Sequence, residues 1–252
     1  LVFASDRSGW WNLERVRGAE RSVLYAAKAE FGYPAWTFGT CSFAFAGDGR
    51  IVCAYDTDGL TSFGALDPDS GRMEDLDLVL DSWWSSPYVR AEGDRVVIVA
   101  GSATVPNQVL VIDVSSSTRV VLRTSADVPA STDRFSMPRA VEFPTEGGLA
   151  AHALVYPPTS PDYAGPEGEQ PPLIVMCHGG PTGNTTAIFS LHTQFWTSRG
   201  FMVVDVNYGG STGYGRAYRD RLKDNWGVVD LDDCVNAARY LVAEGDADSE
   251  GL

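Results

Sequence analysis

Two glycine-rich stretches of the sequence carry residue types suited to chemistry. The first, His178-Gly179-Gly180-Pro181, directly follows the apolar run Leu173-Ile174-Val175-Met176-Cys177. In open α/β sheets, ligands sit at the carboxyl ends of the strands. Glycines placed there let the backbone N–H groups of Gly180 and Gly179 approach a carbonyl oxygen that gains negative charge during acyl transfer. The plainer alternative is a glycine-rich turn with a structural histidine. The second stretch, Gly209-Gly210-Ser211-Thr212-Gly213, satisfies G-x-S-x-G and also follows a strand-like run. A nucleophilic serine on such a turn is followed along the chain by its acid and then its histidine. His152, His178 and His192 all precede Ser211, and another crossover is expected before the nucleophile, so Ser211 reads as a support residue.

The elements that must hold these stretches have two different periods. Residues 1–131 read as short alternating strands. Gly47-Asp48-Gly49 precedes Arg50-Ile51-Val52-Cys53-Ala54-Tyr55, and Glu92-Gly93-Asp94 precedes Arg95-Val96-Val97-Ile98-Val99-Ala100. Each is followed by a second strand, ending Gly64-Ala65-Leu66-Asp67 or Leu110-Val111-Ile112-Asp113. Val52 to Val97 is an offset of 45, and Asp67 to Asp113 an offset of 46. The segment Trp10–Val16 fits an earlier copy, with Val16 to Leu66 an offset of 50. Such a period, built of strands and Gly/Asp turns, predicts β-propeller blades whose faces are buried by stacking, with a β-sandwich as the alternative. Residues 132–252 predict a hairpin over 139–143 and 151–156, then buried strands over 173–177 and 201–206. Helices are expected over 187–199 and 230–244, the latter with Asp230 and Asp233 at its N-terminal dipole. Its apolar face would be Leu231, Val235, Ala238 and Val242. Strand, helix, strand, helix in this order predicts a parallel α/β sheet.

The chain has 252 residues with 33 acidic and 19 Lys/Arg side chains, a net charge of -14. That charge argues against nucleic acid and anionic membrane surfaces as partners. Cys41, Cys53, Cys177 and Cys234 show no C-x-x-C spacing, which points to reduced thiols in a cytoplasmic protein and away from a zinc site or disulfide framework. No metal or cofactor is implied. Asp67-Pro68-Asp69-Ser70-Gly71 reads as a turn, His192 as a surface or packing residue, and Trp10-Trp11 and Trp83-Trp84 as packing within or between blades.

The HGG element resembles the corresponding loop of lipase and esterase α/β-hydrolases. Together with Thr197-Ser198-Arg199-Gly200-Phe201, Asn207-Tyr208-Gly209-Gly210-Ser211-Thr212-Gly213-Tyr214-Gly215 and Trp226-Gly227, it makes residues 173–245 similar to the prolyl oligopeptidase family of serine peptidases, in its acylaminoacyl-peptidase and dipeptidyl-aminopeptidase branch. Glu142-Phe143-Pro144-Thr145 resembles the entry to that family's catalytic domain, and Ser5–Leu13 a blade of its propeller. The resemblance implies propeller blades over 1–131, the first part of an α/β-hydrolase domain over 132–252, and hydrolysis of short peptides through an acyl-enzyme. By the same resemblance Gly180 and Gly179 would form the oxyanion hole. His178 occupies the position where some relatives carry a tyrosine that donates to the oxyanion, and is expected here to brace the loop. Asn207, Tyr208, Gly209, Ser211 and Tyr214 would support the active site.

In that family the nucleophile, acid and histidine follow the helix expected over 230–244. The expectation is therefore a segment cut before its catalytic serine, inactive alone and needing a C-terminal polypeptide that carries the triad. The opening Leu1-Val2-Phe3, already strand-like, suggests that residues precede it as well. Two other functions fit parts of the sequence: a carboxylesterase, since HGG loops serve esters equally well, and a non-catalytic propeller module.

Overall fold

The computed structural model describes every residue except 35, 37, 77, 79–87, 129–132, 181 and 252. Trp83, Trp84 and Pro181 of the motifs above therefore lie outside the described residues. The first half folds as three up-and-down antiparallel sheets. Strands β1 (Val2–Ser5), β2 (Asn12–Arg17) and β3 (Glu20–Tyr25) form the first. The second contains β4 (Phe43–Phe45), β5 (Ile51–Thr57), β6 (Leu60–Leu66) and β7 (Met73–Asp75). The third contains β8 (Arg90–Glu92), β9 (Arg95–Ala100), β10 (Gln108–Asp113) and β11 (Thr118–Thr124). The repeat offset falls on equivalent ladder positions, with Ile51 opposite Leu66 and Val96 opposite Ile112. Asp58 and Gly59 both take positive φ, 51° and 77°, the backbone of a two-residue hairpin turn whose twist matches its strands.

Period-two alternation decides how these sheets bury themselves. Ile51, Cys53 and Leu66 turn toward the first sheet and pack with Leu13, Leu24 and Phe31. Val52, Ala54 and Phe63 turn the other way, onto Val96, Ile98, Leu110 and Ile112 of the third. The second sheet is thus apolar on both faces, and each fully buried aliphatic side chain contributes about 1.5–3 kcal/mol. Among the described residues no sheet closes into a ring.

The second half is a mixed sheet of β12 (Arg139–Pro144), β13 (Ala150–Tyr156), β14 (Leu173–Cys177) and β15 (Met202–Asn207), in the order β12-β13-β15-β14. This corrects the expectation of a parallel sheet. The β12–β13 hairpin is antiparallel, and β13 meets β15 antiparallel, so β14–β15 is the parallel pair. A short turn can only return a strand antiparallel, whereas the β14–β15 connection runs through a helix. That helix, α1 (Leu191–Thr197), is shorter than expected because Ser190 caps it, its hydroxyl accepting from the Thr193 N–H at 3.2 Å. Helix α2 (Arg216–Arg219) is one turn, and α3 (Val229–Ala243) ends with Gly245 at φ 77°. The Asp246 N–H closes that end by donating to the Leu241 carbonyl.

The face that α3 buries matches the expected one at Ala238 and Val242, which pack into the core, and differs from it at Leu231 and Val235. Asp233, Ala237, Ala238 and Leu241 face inward, while Leu231 and Val235 are 60% and 40% exposed. Asp233 is the reason, since its carboxylate accepts from Gly209 N–H and from the Thr145 hydroxyl and so fixes the helix rotation. It acts as a polar tie to the sheet, not as a dipole partner. Packing within or between blades is the expectation for Trp10 and Trp11, and Trp11 does lie against Gly32 of the β-rich half, but each also reaches beyond it. Trp10 lies against Gly215, and the Arg219 guanidinium lies 4.2 Å from the Trp11 ring centroid, so both also contact the α/β half.

Candidate active site

Because β14 and β15 are parallel, with Cys177 opposite Val206, the loops leaving them emerge on the same side of the sheet. One begins His178-Gly179-Gly180 and the other Asn207-Tyr208-Gly209. Gly179 and Gly180 are exposed, and no hydrogen bond occupies either N–H among the described residues. A Cβ on Gly180 would sit 2.7 Å from the Tyr208 hydroxyl, whereas one on Gly179 would meet nothing within 4 Å. The glycine at 180 is therefore required by close packing against Tyr208. Two adjacent, unengaged donors at a strand's carboxyl end can bind an oxyanion without reorganisation.

His178 supports this loop from below. Its ring stacks on Tyr208 with centroids 4.4 Å apart, and its Nε2 lies 2.7 Å from the Ser211 Oγ. Ser211 is fully buried, and its hydroxyl proton has a second acceptor in the Tyr208 carbonyl at 2.8 Å. The other ring nitrogen, Nδ1, is 2.9 Å from the Gly179 carbonyl. Burial lowers the His178 pKa, and the Gly179 carbonyl pulls it back in part, so the neutral imidazole is favoured. With Nδ1–H on the Gly179 carbonyl, Nε2 accepts from Ser211. Burial likewise pushes the Tyr208 hydroxyl up to about 12, which keeps it a neutral donor to the His178 carbonyl at 3.3 Å. Ser211 is thus closed off from solvent, and its hydroxyl lies between the His178 ring and the Tyr208 carbonyl.

Asn207 joins the two loops. Fully buried, it accepts from Thr185 N–H at 2.7 Å and donates to the Thr185 carbonyl at 3.2 Å and the Tyr214 hydroxyl at 3.1 Å. Its own carbonyl accepts from the Tyr218 hydroxyl at 2.6 Å. Tyr214 stacks on His152 with centroids 4.2 Å apart, and its hydroxyl lies where a side chain on Gly59 would fall. The β5–β6 hairpin tip thereby touches the support loop. Gly209 gives its N–H to Asp233 at 2.6 Å. Sequence reasoning named Asn207, Tyr208, Gly209, Ser211 and Tyr214 but missed Thr185, Tyr218 and the inward role of Asp233. No motif marks those three, because their partners lie 11 to 24 residues away. His192 is apart from this site, accepting from the Trp196 indole at 3.2 Å on α1. Asp67 accepts from the Asp69 and Ser70 N–H groups within its own turn.

Comparison with known proteins fits this geometry. Residues 187–252 match the prolyl oligopeptidase family. Likeness to solved structures extends over the whole chain. A puromycin-hydrolyzing peptidase of Mycobacterium tuberculosis is 40% identical, with a TM-score of 0.93 over 98% of this chain and 38% of its own. The crystal structure of puromycin hydrolase is likewise 40% identical, with a TM-score of 0.92 over 100% of this chain and 38% of that one. Dipeptidyl-peptidase 5 of Aspergillus fumigatus is 36% identical over 103 residues, 40% of this chain and 14% of that protein. The chain thus spans less than two fifths of the length of these relatives.

Proposed function

We propose that this chain contributes the oxyanion side of a serine peptidase that hydrolyses short peptides through an acyl-enzyme, in the manner of an aminopeptidase or oligopeptidase. One observation carries the reading: the adjacent, unengaged N–H groups of Gly179 and Gly180 at the carboxyl end of β14, backed by Tyr208. In this mechanism those groups bind the oxygen of the tetrahedral intermediate, and each donor contributes ~3 kcal/mol to the transition state. His178 and Ser211 hold the loop, and Asn207, Gly209 and Tyr214 hold its neighbour. The nucleophile, its base and its acid come from polypeptide outside these 252 residues. That assignment is supported by the buried, committed state of Ser211 and by the greater length of the relatives.

In this reading residues 1–131 are propeller blades and residues 132–252 the first part of an α/β-hydrolase domain. Three stacked meanders with a repeat near 45 residues support the first assignment, and the crossover through α1 the second. Four free cysteines support a cytoplasmic setting. No described helix is long and apolar enough to cross a membrane.

Fluorophosphonate labelling of the full-length protein, read by mass spectrometry, tests the assignment. The adduct is expected on a serine outside residues 1–252, and Ser211→Ala should still label. A label on Ser211 would overturn the division of roles. Turnover of simple esters with no turnover of any short peptide would sink the peptidase reading.

A further inference from the structure

Period-two alternation along β14 sorts its side chains onto two faces of the sheet. Ile174 and Met176 cluster with Ala187 and Trp196, while Leu173 clusters with Ala238 and Leu241 of α3. Cys177 shares the Leu173 face and is exposed. On α3, Cys234 stands with Ala237, Ala238 and Leu241 at the i, i+3, i+4, i+7 spacing of a buried helix face, and it is partly buried against the same core. The two faces meet, and the Cys234 thiol lies against the Cys177 thiol as a hydrogen-bonding neighbour. The thiols of Cys41 and Cys53, in the β-rich half, donate instead to the backbone carbonyls of Phe43 and Gly64.

Cys177 is the last residue of β14, and His178, Gly179 and Gly180 follow it directly. Cys234 adjoins Asp233, whose carboxylate takes the Gly209 N–H and fixes the rotation of α3. The Tyr208 hydroxyl, pushed up by burial and next by Cys177, links that sulfur to the packing at Gly180. Burial, with a further push from Cys177, raises the Cys234 thiol to about 12. Cys234 therefore stays a neutral thiol, and the exposed Cys177 is the sulfur that meets an oxidant from solvent. Two thiols in contact stand farther apart than bonded sulfurs, which are about 2.05 Å apart. Joining them must draw the carboxyl end of β14 toward α3, and the shift passes along the chain to the glycine donors.

We propose that Cys177 and Cys234 form a dithiol site that hydrogen peroxide oxidises to a disulfide, displacing the Gly179 and Gly180 donors and lowering turnover until a dithiol reductant reopens it. The bridge itself is independent of the peptidase reading above, and its effect on turnover rests on that reading. In the first step the Cys177 thiolate attacks the peroxide O–O bond, takes one oxygen as a sulfenic acid and expels the other as hydroxide, which the thiol's released proton converts to water. In the second, the Cys234 sulfur attacks the Cys177 sulfur. The S–S bond forms as the S–O bond breaks, and the oxygen leaves as water with the Cys234 proton. The pair gives up two electrons and two protons, and one peroxide becomes two waters. Such a bridge is transient in a reducing compartment, where disulfides that do form are catalytic or redox-sensing.

The test treats the full-length protein with hydrogen peroxide and reads it by non-reducing peptide mapping in the mass spectrometer and by steady-state kinetics on one short peptide. The expected map joins the peptides that carry residues 177 and 234, with the loss of two hydrogens. With the bridge formed, kcat should fall about tenfold or more at little-changed KM, because the donors act in the transition state. Dithiothreitol should restore it. Cys234→Ala and Cys234→Ser should each keep their activity before treatment and lose the dithiothreitol-reversible fall, whereas Cys41→Ala should behave as the unsubstituted protein. Treatment that leaves residues 177 and 234 unjoined, or joins them with no change in kcat, would overturn the proposal. So would a reversible fall that persists in both Cys234 variants. If the untreated protein cleaves no peptide, the peptidase reading fails, and the peptide map alone decides the dithiol site.

Discussion

At the residue scale the site depends on which atoms lack room to move. Gly180 sits so close to the Tyr208 hydroxyl that a methyl group must push one of them aside. Gly179, one residue away, faces open space. The two glycines therefore make opposite predictions when replaced by alanine. In the full-length protein Gly180→Ala should lower kcat about 10²-fold with little change in KM, since a displaced donor is lost only in the transition state. Gly179→Ala should cost far less. Steady-state kinetics on one peptide substrate checks both, and equal losses at the two positions would contradict the packing argument.

At the element scale the buried ionisable groups show where α2 meets the β-rich half. Glu30 and Asp56 exchange backbone hydrogen bonds, and both side chains are 1% exposed. Neither Glu30 oxygen has a hydrogen-bond partner among the described residues, although Arg219 Nη1 lies 3.6 Å from Oε2. Burial pushes Glu30 up to about 7, against the pull of Arg219 and with a further push from Asp56. Burial also raises Asp56 to about 6, moderated by the Thr61 hydroxyl at 2.7 Å. Both pKa values lie above those of an unfolded chain, so the fold prefers the protonated carboxyls. Their contribution is fully present below the ordinary carboxylate range and is lost as pH rises through about 6 and then about 7. Glu30→Gln should accordingly leave Tm nearly unchanged at pH 5 and raise it by about 2–4 °C at pH 8. Scanning calorimetry at the two pH values decides it, and an equal shift at both would show that Glu30 is not the titrating group.

At the scale of the whole molecule, one ion-pair cluster and one apolar stripe matter most. Asp6 joins Arg216 and Arg219 across more than 200 residues of chain, and Arg216 also donates its backbone N–H to the Gly9 carbonyl at 2.8 Å. The first sheet and α2 are thereby held together by side chains and backbone at once. On the other side, Leu231 and Val235 of α3, with Val228 just before it, form a stripe between 40% and 60% exposed. On β14, an edge strand of its sheet among the described residues, Val175 is 38% exposed. Contiguous exposed apolar surface of this kind binds hydrophobic dyes and partners. The 252-residue chain is expected to enhance anilinonaphthalene sulfonate fluorescence, and Leu231→Glu with Val235→Glu to remove most of that enhancement. Undiminished dye binding in the double variant would place the apolar surface elsewhere.

Local sequence pattern was enough to place the separate pieces. Period-two runs and Gly/Asp turns placed β5, β6, β9 and β10. The apolar run before His178 placed β14, and Gly245 marked the end of α3. These features are legible because a strand's alternation, a turn's positive φ and a helix stop are set by residues within a few positions of one another. The position of Gly179 and Gly180 at a strand's carboxyl end was legible for the same reason. Contacts across the fold set the remainder. It turned α3 so that Asp233 faces Gly209, sealed Ser211 beneath His178 33 residues away, and made the sheet mixed where a parallel one was expected. It also brought Arg219 onto the Trp11 ring. Each of those outcomes depends on which buried polar group finds a partner among residues distant in sequence, and no local pattern encodes that choice.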